Sequence, residues 1–186
     1  MVEALSHIIT GLGLSASAGL NAYIPLLIVA LTARFTHLIR LNPPFSTLTN
    51  GWVLAFLVVL TLIEALVDKI PAVDTINDVV QTFVRPTAGA ILFASSSNVI
   101  GGIHPVLAVI CGILIAGAVH ATKATARPLL TVSTAGTANP IVSTAEDVVS
   151  AVTSLLSILV PVLALLLILV GVLLFFRALS RMRARA

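Results

Sequence analysis

Long intervals without a charged side chain constrain this chain more than any other feature. Asp, Glu, Lys and Arg are absent from five intervals: 4–33, 41–63, 86–122, 128–145 and 148–176. An α-helix needs about 20 apolar residues to cross the roughly 30 Å hydrocarbon core of a bilayer. Four intervals meet that length, and residues 128–145 are marginal. The spacing of charges therefore predicts several membrane crossings.

The composition agrees with lipid as the solvent. Hydrophobic residues make up 59% of the 186 residues, charged residues make up 9%, and the mean hydropathy is +1.16. A soluble domain carries about 25% charged residues. Runs such as Val53–Leu60 and Val160–Phe176 are apolar on every side, which excludes the alternating pattern of barrel strands. We predict an all-α fold, a polytopic transmembrane helical bundle.

Basic residues at the C-terminus suggest an orientation. Arg177, Arg181, Arg183 and Arg185 are four of the ten basic residues and follow the last apolar run. The positive-inside rule predicts that they are cytoplasmic. We divide the chain into one transmembrane domain, residues 1–176, and a basic cytoplasmic tail, residues 177–186. The net charge of +3 is explained by this flank, and we expect no nucleic-acid partner.

Four stretches are predicted as strong spans. Residues 8–32 form the first, but glycines and serines followed by Asn21 allow its helix to break or to approach a neighbour closely. Trp52 opens the second, which runs to about residue 67, and residues 104–120 form the third. The last, residues 149–176, contains Pro161 as a predicted kink. We expect the first apolar run to be retained, because it lacks the basic start of a secretory signal.

Two weaker stretches leave the number of crossings open. Residues 86–94 are short and favour a half-helix or re-entrant segment, whereas residues 128–145 can cross if buried among other helices. With the arginine tail inside, five crossings place Lys123 and Arg127 inside and Glu146 and Asp147 outside. Four crossings with two re-entrant segments is the alternative. Either scheme describes a multi-pass protein of the cell (inner) membrane.

A faint internal repeat is visible. Val53-Leu54-Ala55 begins an apolar helix that precedes an ionisable cluster and Arg85-Pro86, and Val106-Leu107-Ala108 begins the same order of features before Arg127-Pro128. Many secondary transporters are built from repeats whose broken helices meet near the bilayer midplane. Chance recurrence in an alanine-rich membrane protein is the other interpretation.

Carboxylates are the first candidate functional groups. Glu64 and Asp68 lie four residues apart and so share a helix face, and Asp74 and Asp78 repeat that spacing after Pro71. Carboxylates among apolar helices are expensive and mark ion or proton paths. We predict cation binding or a proton relay here, with the identity of any metal open. A solvated loop at the end of a span is the alternative.

Basic residues form a second stripe. His120, Lys123 and Arg127 are spaced i, i+3 and i+7, and Arg85 precedes a proline as Arg127 does. They are predicted to be counter-charges to the carboxylates or to bind an anionic headgroup or phosphate. Ordinary positive-inside flanking explains the stripe equally well, but it does not explain Arg85.

Two asparagines complete the candidates. Asn21 and Asn139 lie inside apolar runs just after small residues, where unwound backbone can coordinate a cation. Hydrogen bonding between helices is the commoner role of such residues. The sequence contains none of GxSxG, HExxH and CxxC, and Cys111 is its single cysteine. We therefore expect no enzyme, no catalytic residues and no cofactor.

The order of these polar positions resembles a bacterial family of small membrane proteins, domain of unknown function 4126. The resemblance spans nearly the whole chain and is carried by residues 17–23, Glu64 through Asp74, Arg85–Gly89, the basic stripe and residues 134–147. It implies an integral membrane bundle and no activity.

These observations together predict passage of a small solute or ion across the membrane. The carboxylates would bind the cation or relay protons, and the basic residues would balance them. A non-transporting subunit or scaffold that binds lipid or a partner protein, and a lipid flippase, are the alternatives. A chain of this size suggests a homodimer in the lipid bilayer.

Overall fold

The described part of the chain is all-α, as predicted. A computed structural model describes residues 2–68, 71–97 and 104–183, and these contain no strand. A short 3-10 helix, Phe45–Thr49, precedes the third of the seven α-helices within these ranges. The α-helices are α1 Val2–Leu20, α2 Tyr23–Phe35, α3 Gly51–Val67, α4 Pro71–Ser97, α5 Pro105–Thr134, α6 Asn139–Leu159 and α7 Pro161–Arg183.

Helix α1 is the centre of the bundle. It packs against α4, α5, α6 and α7. Small side chains make this possible, because a Cβ added at Gly19 would lie 2.6 Å from the carbonyl oxygen of Ala116, and Ser15 and Ser17 are fully buried. Helices with small residues at their interfaces approach closely enough for van der Waals contact between backbones.

The most extensive helix pair is α4 with α5. Gly89 and Gly112 face each other, and a Cβ built on Gly112 would lie 2.7 Å from the Cα of Ala90. Since real Cβ atoms do not approach a backbone atom so closely, the two helices touch through their main chains. This contact fixes the position of the polar residues further along both helices.

The first apolar interval contains two helices separated at Asn21. Helix α1 ends at Leu20, and the Asn21 side-chain oxygen accepts hydrogen bonds from the N–H groups of Tyr23 and Ile24, both at 3.0 Å. A side-chain acceptor before a helix satisfies N–H groups that lack an intrahelical partner. The predicted break in this span is confirmed.

Two predicted segments are divided differently in the structure, because both helices continue through a proline. Residues 86–94 are not a half-helix but belong to α4, which continues for 27 residues through Pro86. Likewise α5 continues for 30 residues through Pro128. A proline inside a helix removes one N–H donor, and neighbouring helices compensate for that loss in a packed bundle.

The last predicted span is also divided differently. Helix α6 continues through Glu146 and Asp147, which were expected to separate two spans. It ends before Pro161, where Val160 adopts φ −143° and ψ 75°. A residue that precedes proline avoids the α conformation, so the helix breaks at this point rather than kinking within a single span.

The two stretches of the suspected repeat differ in helical layout. In the first, the apolar helix and its arginine lie on separate helices, α3 and α4. In the second, the corresponding residues from Val106 to Pro128 all lie on α5. The matching order of sequence features therefore does not correspond to a matching order of helices.

Apolar side chains cover the outside of the protein. Trp52 is 86% exposed and Phe83 is 75% exposed. Among the described residues, α5 and α6 are each long and apolar enough to cross a membrane, and their most apolar windows are only 22% and 28% buried. Many serines and charged side chains are buried instead. The described helices thus have apolar side chains on the outside of the bundle and polar side chains in its interior.

The close approach of α4 and α5 gives a stability test. Gly112→Ala should destabilise the protein by about 1–3 kcal/mol, the usual range for overpacking, because its Cβ meets backbone atoms of α4. Gly171→Ala is the matched control, since a Cβ at that position has nothing within 4 Å. Thermal unfolding in detergent compares the two variants, and equal melting temperatures would contradict the described packing.

Candidate functional site

Ionisable side chains converge where α1 and α3 end beside the middle parts of α4, α5 and α6. Glu64 lies in the last turn of α3, and Asp68 caps its C-terminus. The basic stripe of α5 lies on one face as predicted, and each of its three members is at most 7% exposed. We call the following set the buried network: Glu64, Asp68, Arg85, His120, Lys123, Arg127, Glu146 and Asp147.

One part of the network joins α3, α4 and α5 through Arg85. Its Nη2 atom lies 3.2 Å from Oε1 of Glu64, and the two side chains are 0% and 1% exposed. Its Nη1 atom lies 2.9 Å from Nδ1 of His120. Since a guanidinium group only donates hydrogen bonds, Nδ1 accepts. This assigns a neutral His120 whose Nε2–H donates to the Thr82 hydroxyl oxygen at 3.1 Å.

A second part joins α5 to α6 and to the end of α3. The ammonium of Lys123 and Nη2 of Arg127 each lie 2.8 Å from Oε2 of Glu146. Both groups also lie 3.6 Å from Oδ2 of Asp68. The other Asp68 oxygen accepts a hydrogen bond from the Asn77 amide at 2.9 Å. The two cations therefore share two carboxylates.

The break between α1 and α2 also belongs to this site. The Lys123 ammonium donates to the carbonyl of Leu20, the last residue of α1, at 3.1 Å. A helix C-terminus carries partial negative charge and favours a cation there. The Asn21 amide donates to Oδ1 of Asp147 at 2.9 Å. One asparagine thus caps α2 and holds an acidic residue of α6.

The structure brings together most of the residues singled out in the sequence. Six of the ten lie in the buried network and Asn21 contacts it, whereas Asn139 exchanges hydrogen bonds with Thr131 across the α5–α6 turn. The side chains of Asp74 and Asp78 lie outside the described residues. Among described contacts, Arg85, Lys123 and Arg127 lie beside carboxylates, whereas His120 forms hydrogen bonds with Arg85 and Thr82.

Sequence reasoning missed Glu146 and Asp147 as members of the site. A signal was present, because α6 carries a buried polar stripe with helical spacing: Asn139, Ser143, Ser150, Thr153, Ser154 and Ser157. Glu146 continues that stripe. Gln81, Asn77 and Thr82 were also missed, and all three lie on α4 beside Arg85.

The predicted membrane sides of these residues were wrong. The five-crossing scheme put Lys123 and Arg127 inside the cell and Glu146 outside, yet their charged atoms lie 2.8 Å apart. Groups in direct contact cannot lie on opposite membrane faces. The positive-inside rule failed here because it applies to charges in exposed flanking loops, and these charges are buried.

A cavity lies at the other end of α1. Its volume is about 420 Å³, and its lining includes His7, Thr10, His37, Arg40 and Ser96. None of its lining residues belongs to the buried network. The cavity and the buried network therefore lie at different ends of α1.

Comparison with known proteins identifies a family. A family model described as "Domain of unknown function (DUF4126)" matches residues 8–181. The resemblance drawn from the polar positions of the sequence is confirmed by this match. No curated protein and no solved structure matches the chain.

The shared carboxylates give a second stability test. Asp68→Asn should cost about 3–5 kcal/mol, the usual range for breaking a buried ion pair, because Lys123 and Arg127 lose a counter-charge. Asp147→Asn is the control, since an amide oxygen still accepts from Asn21 and the loss should be far smaller. Chemical unfolding in detergent measures both, and equal losses would contradict the described pairing.

Proposed function

We propose that this chain, which belongs to the DUF4126 family, is a multi-pass membrane protein that moves a small cation or protons across the bilayer. The buried network carries the proposal. Its carboxylates provide the binding or relay groups, and its basic residues keep them close to neutral. We also propose that the basic C-terminal tail is cytoplasmic and that the protein assembles as a homodimer.

The distribution of polarity supports a membrane location. Exposed apolar side chains cover α3, α5 and α7, including Trp52, Phe56 and Leu114. Soluble monomers rarely expose contiguous apolar patches larger than a few hundred Å². Lipid chains are a favourable solvent for such a surface. At 1.5 Å per residue α5 is about 45 Å long, enough to span the hydrocarbon core with a margin.

The position of the network along the helices supports passage rather than anchoring. His120 is near the middle of α5, and Arg85 is near the middle of α4. Charged groups this far from the helix ends are expensive in a bilayer and mark ion or proton pathways. A scaffold that only binds a partner protein would use such groups solely to hold its helices together.

The broken first helix adds a second argument. Transporters commonly bind their ions where discontinuous helices leave carbonyl groups free near the membrane midplane. The α1–α2 break offers the Leu20 carbonyl, and that group already holds the Lys123 ammonium. The backbone feature and the charged side chains therefore meet at one place.

A lipid flippase has less support. That function needs Lys123 and Arg127 to reach phosphate headgroups. Both side chains are at most 8% exposed and are paired with Asp68 and Glu146. The counter-charge role accounts for these contacts without any lipid.

Reconstitution into liposomes tests the proposal. Vesicles containing the purified protein and a pH-sensitive dye are exposed to gradients of protons, Na⁺ or K⁺. We expect the protein to dissipate at least one gradient faster than protein-free vesicles, and Glu64→Gln to return the rate to the protein-free level. Gly171→Ala, which changes a site with no neighbours, is the matched control and should match the original protein.

Two outcomes would overturn the proposal. One is a set of gradients that decay no faster with the protein than without it, although circular dichroism shows a folded helical protein. The other is full flux in Glu64→Gln, which would separate passage from the buried network.

A further inference from the structure

We infer that Glu64 holds a proton on Oε2 and donates it to Oε1 of Gln81, which makes this pair the proton-exchange site of the buried network. This site deepens the proposed function. It rests on that function only for the statement that the proton is exchanged during passage. The surroundings of Glu64 and of Gln81 support it. Gln81 was not among the candidates that the sequence provided.

Glu64 differs from the other carboxyl groups of the network in having a fully buried oxygen without a donor among the described residues. Both oxygens of Asp68 have partners, in Asn77 and in two cations. Glu146 contacts Lys123 and Arg127. Among the described residues, Oε2 of Glu64 is buried and has no hydrogen-bond partner.

Gln81 supplies the complementary acceptor. Its side-chain oxygen Oε1 is also buried and has no donor among the described residues. Gln81 is one turn before Arg85 on α4 and therefore shares its face. Arg85 contacts Glu64 at 3.2 Å and Asn77 contacts Asp68 at 2.9 Å, so Gln81 lies between two contacts that join α4 to the end of α3. These contacts put the carboxyl and the amide in one small region.

A single proton satisfies both oxygens. Oε2 of Glu64 and Oε1 of Gln81 are buried acceptors without a donor among the described residues, which is unfavourable because each has lost its hydrogen bonds to water. Protonation turns Oε2 of Glu64 into a donor, and Gln81 then accepts. Oε1 of Glu64 stays in contact with Arg85 at 3.2 Å.

A bound metal ion fits less well. Hard cations take six or more oxygen ligands, and the described side chains leave only two oxygens without partners at this place. The guanidinium of Arg85 is in contact with the same carboxyl group and would repel a cation. A proton needs one ligand and one acceptor, which is what Glu64 and Gln81 provide.

The charges of the described network agree with one proton being held there. Four carboxyl groups, Glu64, Asp68, Glu146 and Asp147, face three cations, Arg85, Lys123 and Arg127, while His120 is neutral. Arg85, Asp68 and Lys123 act on Glu64 through their charges, and Tyr23 reaches it from α2. One proton on Glu64 makes the described network neutral, and release of that proton to water restores a full ion pair with Arg85.

Isosteric substitution separates a protonated from an ionised Glu64. If Glu64 is protonated, Glu64→Gln replaces one neutral donor with another, and its melting temperature in detergent at pH 7 should stay close to that of the original protein. Asp68→Asn is the matched control and should melt far lower, because Asp68 is ionised and paired. Comparable losses in the two variants would overturn the inference.

Infrared difference spectroscopy reads the proton directly. The C=O stretch of a protonated carboxyl should be present at pH 7, and it should be absent in Glu64→Gln. In Gln81→Leu the band should remain but shift to higher frequency, since the carboxyl loses its acceptor. Three results would overturn the assignment. The band could be missing from the original protein, it could disappear in Asp147→Asn instead, or it could stay unshifted in Gln81→Leu.

These measurements need no ion gradient, so their failure is distinct from a failure of transport. A Glu64 carboxyl band without any flux would support the site and refute the proposed passage. Flux without that band would support passage and refute the site.

Discussion

A charge in an apolar interior must have a partner, and the described bundle is organised around that requirement. Arg85, fully buried on α4, is held by Glu64 from α3 and His120 from α5. Lys123 and Arg127 hold Glu146 and Asp68. Because removing one member of a buried ion pair typically costs about 3–5 kcal/mol, the pairs of Lys123 and Arg127 fix how α3, α5 and α6 lie against one another. The hydrogen bonds of Arg85 join α4 to α3 and α5.

The glycines and serines of the bundle serve the same requirement. Charged side chains from several helices can meet only if the helix axes are close. The Gly89–Gly112 contact and the small side chains of α1 allow that approach. Packing between helices in lipid depends on such small residues, since the apolar side chains gain little by leaving a lipid environment. Bulky side chains accordingly lie on the outside.

The helical class and most network residues could be predicted from the sequence because they depend on local patterns. Long charge-free intervals, the spacing of His120, Lys123 and Arg127, and the break at Asn21 are all local. The partners of the charges were not predictable, since Lys123 and Glu146 are 23 positions apart in sequence and belong to different helices. The effect of proline was also not predictable from the sequence. Pro86 lies within α4, whereas Pro161 begins α7.

The central claim is that charges from separate helices form one interior network, and a double-mutant cycle between Lys123 and Glu146 tests it most directly. Lys123→Met, Glu146→Gln and the double variant are unfolded chemically in detergent. Side chains in contact should show a coupling energy of about 0.5–3 kcal/mol, with the double variant losing less stability than the two single losses combined. Additive losses, as expected for residues on opposite faces of a membrane, would contradict the account.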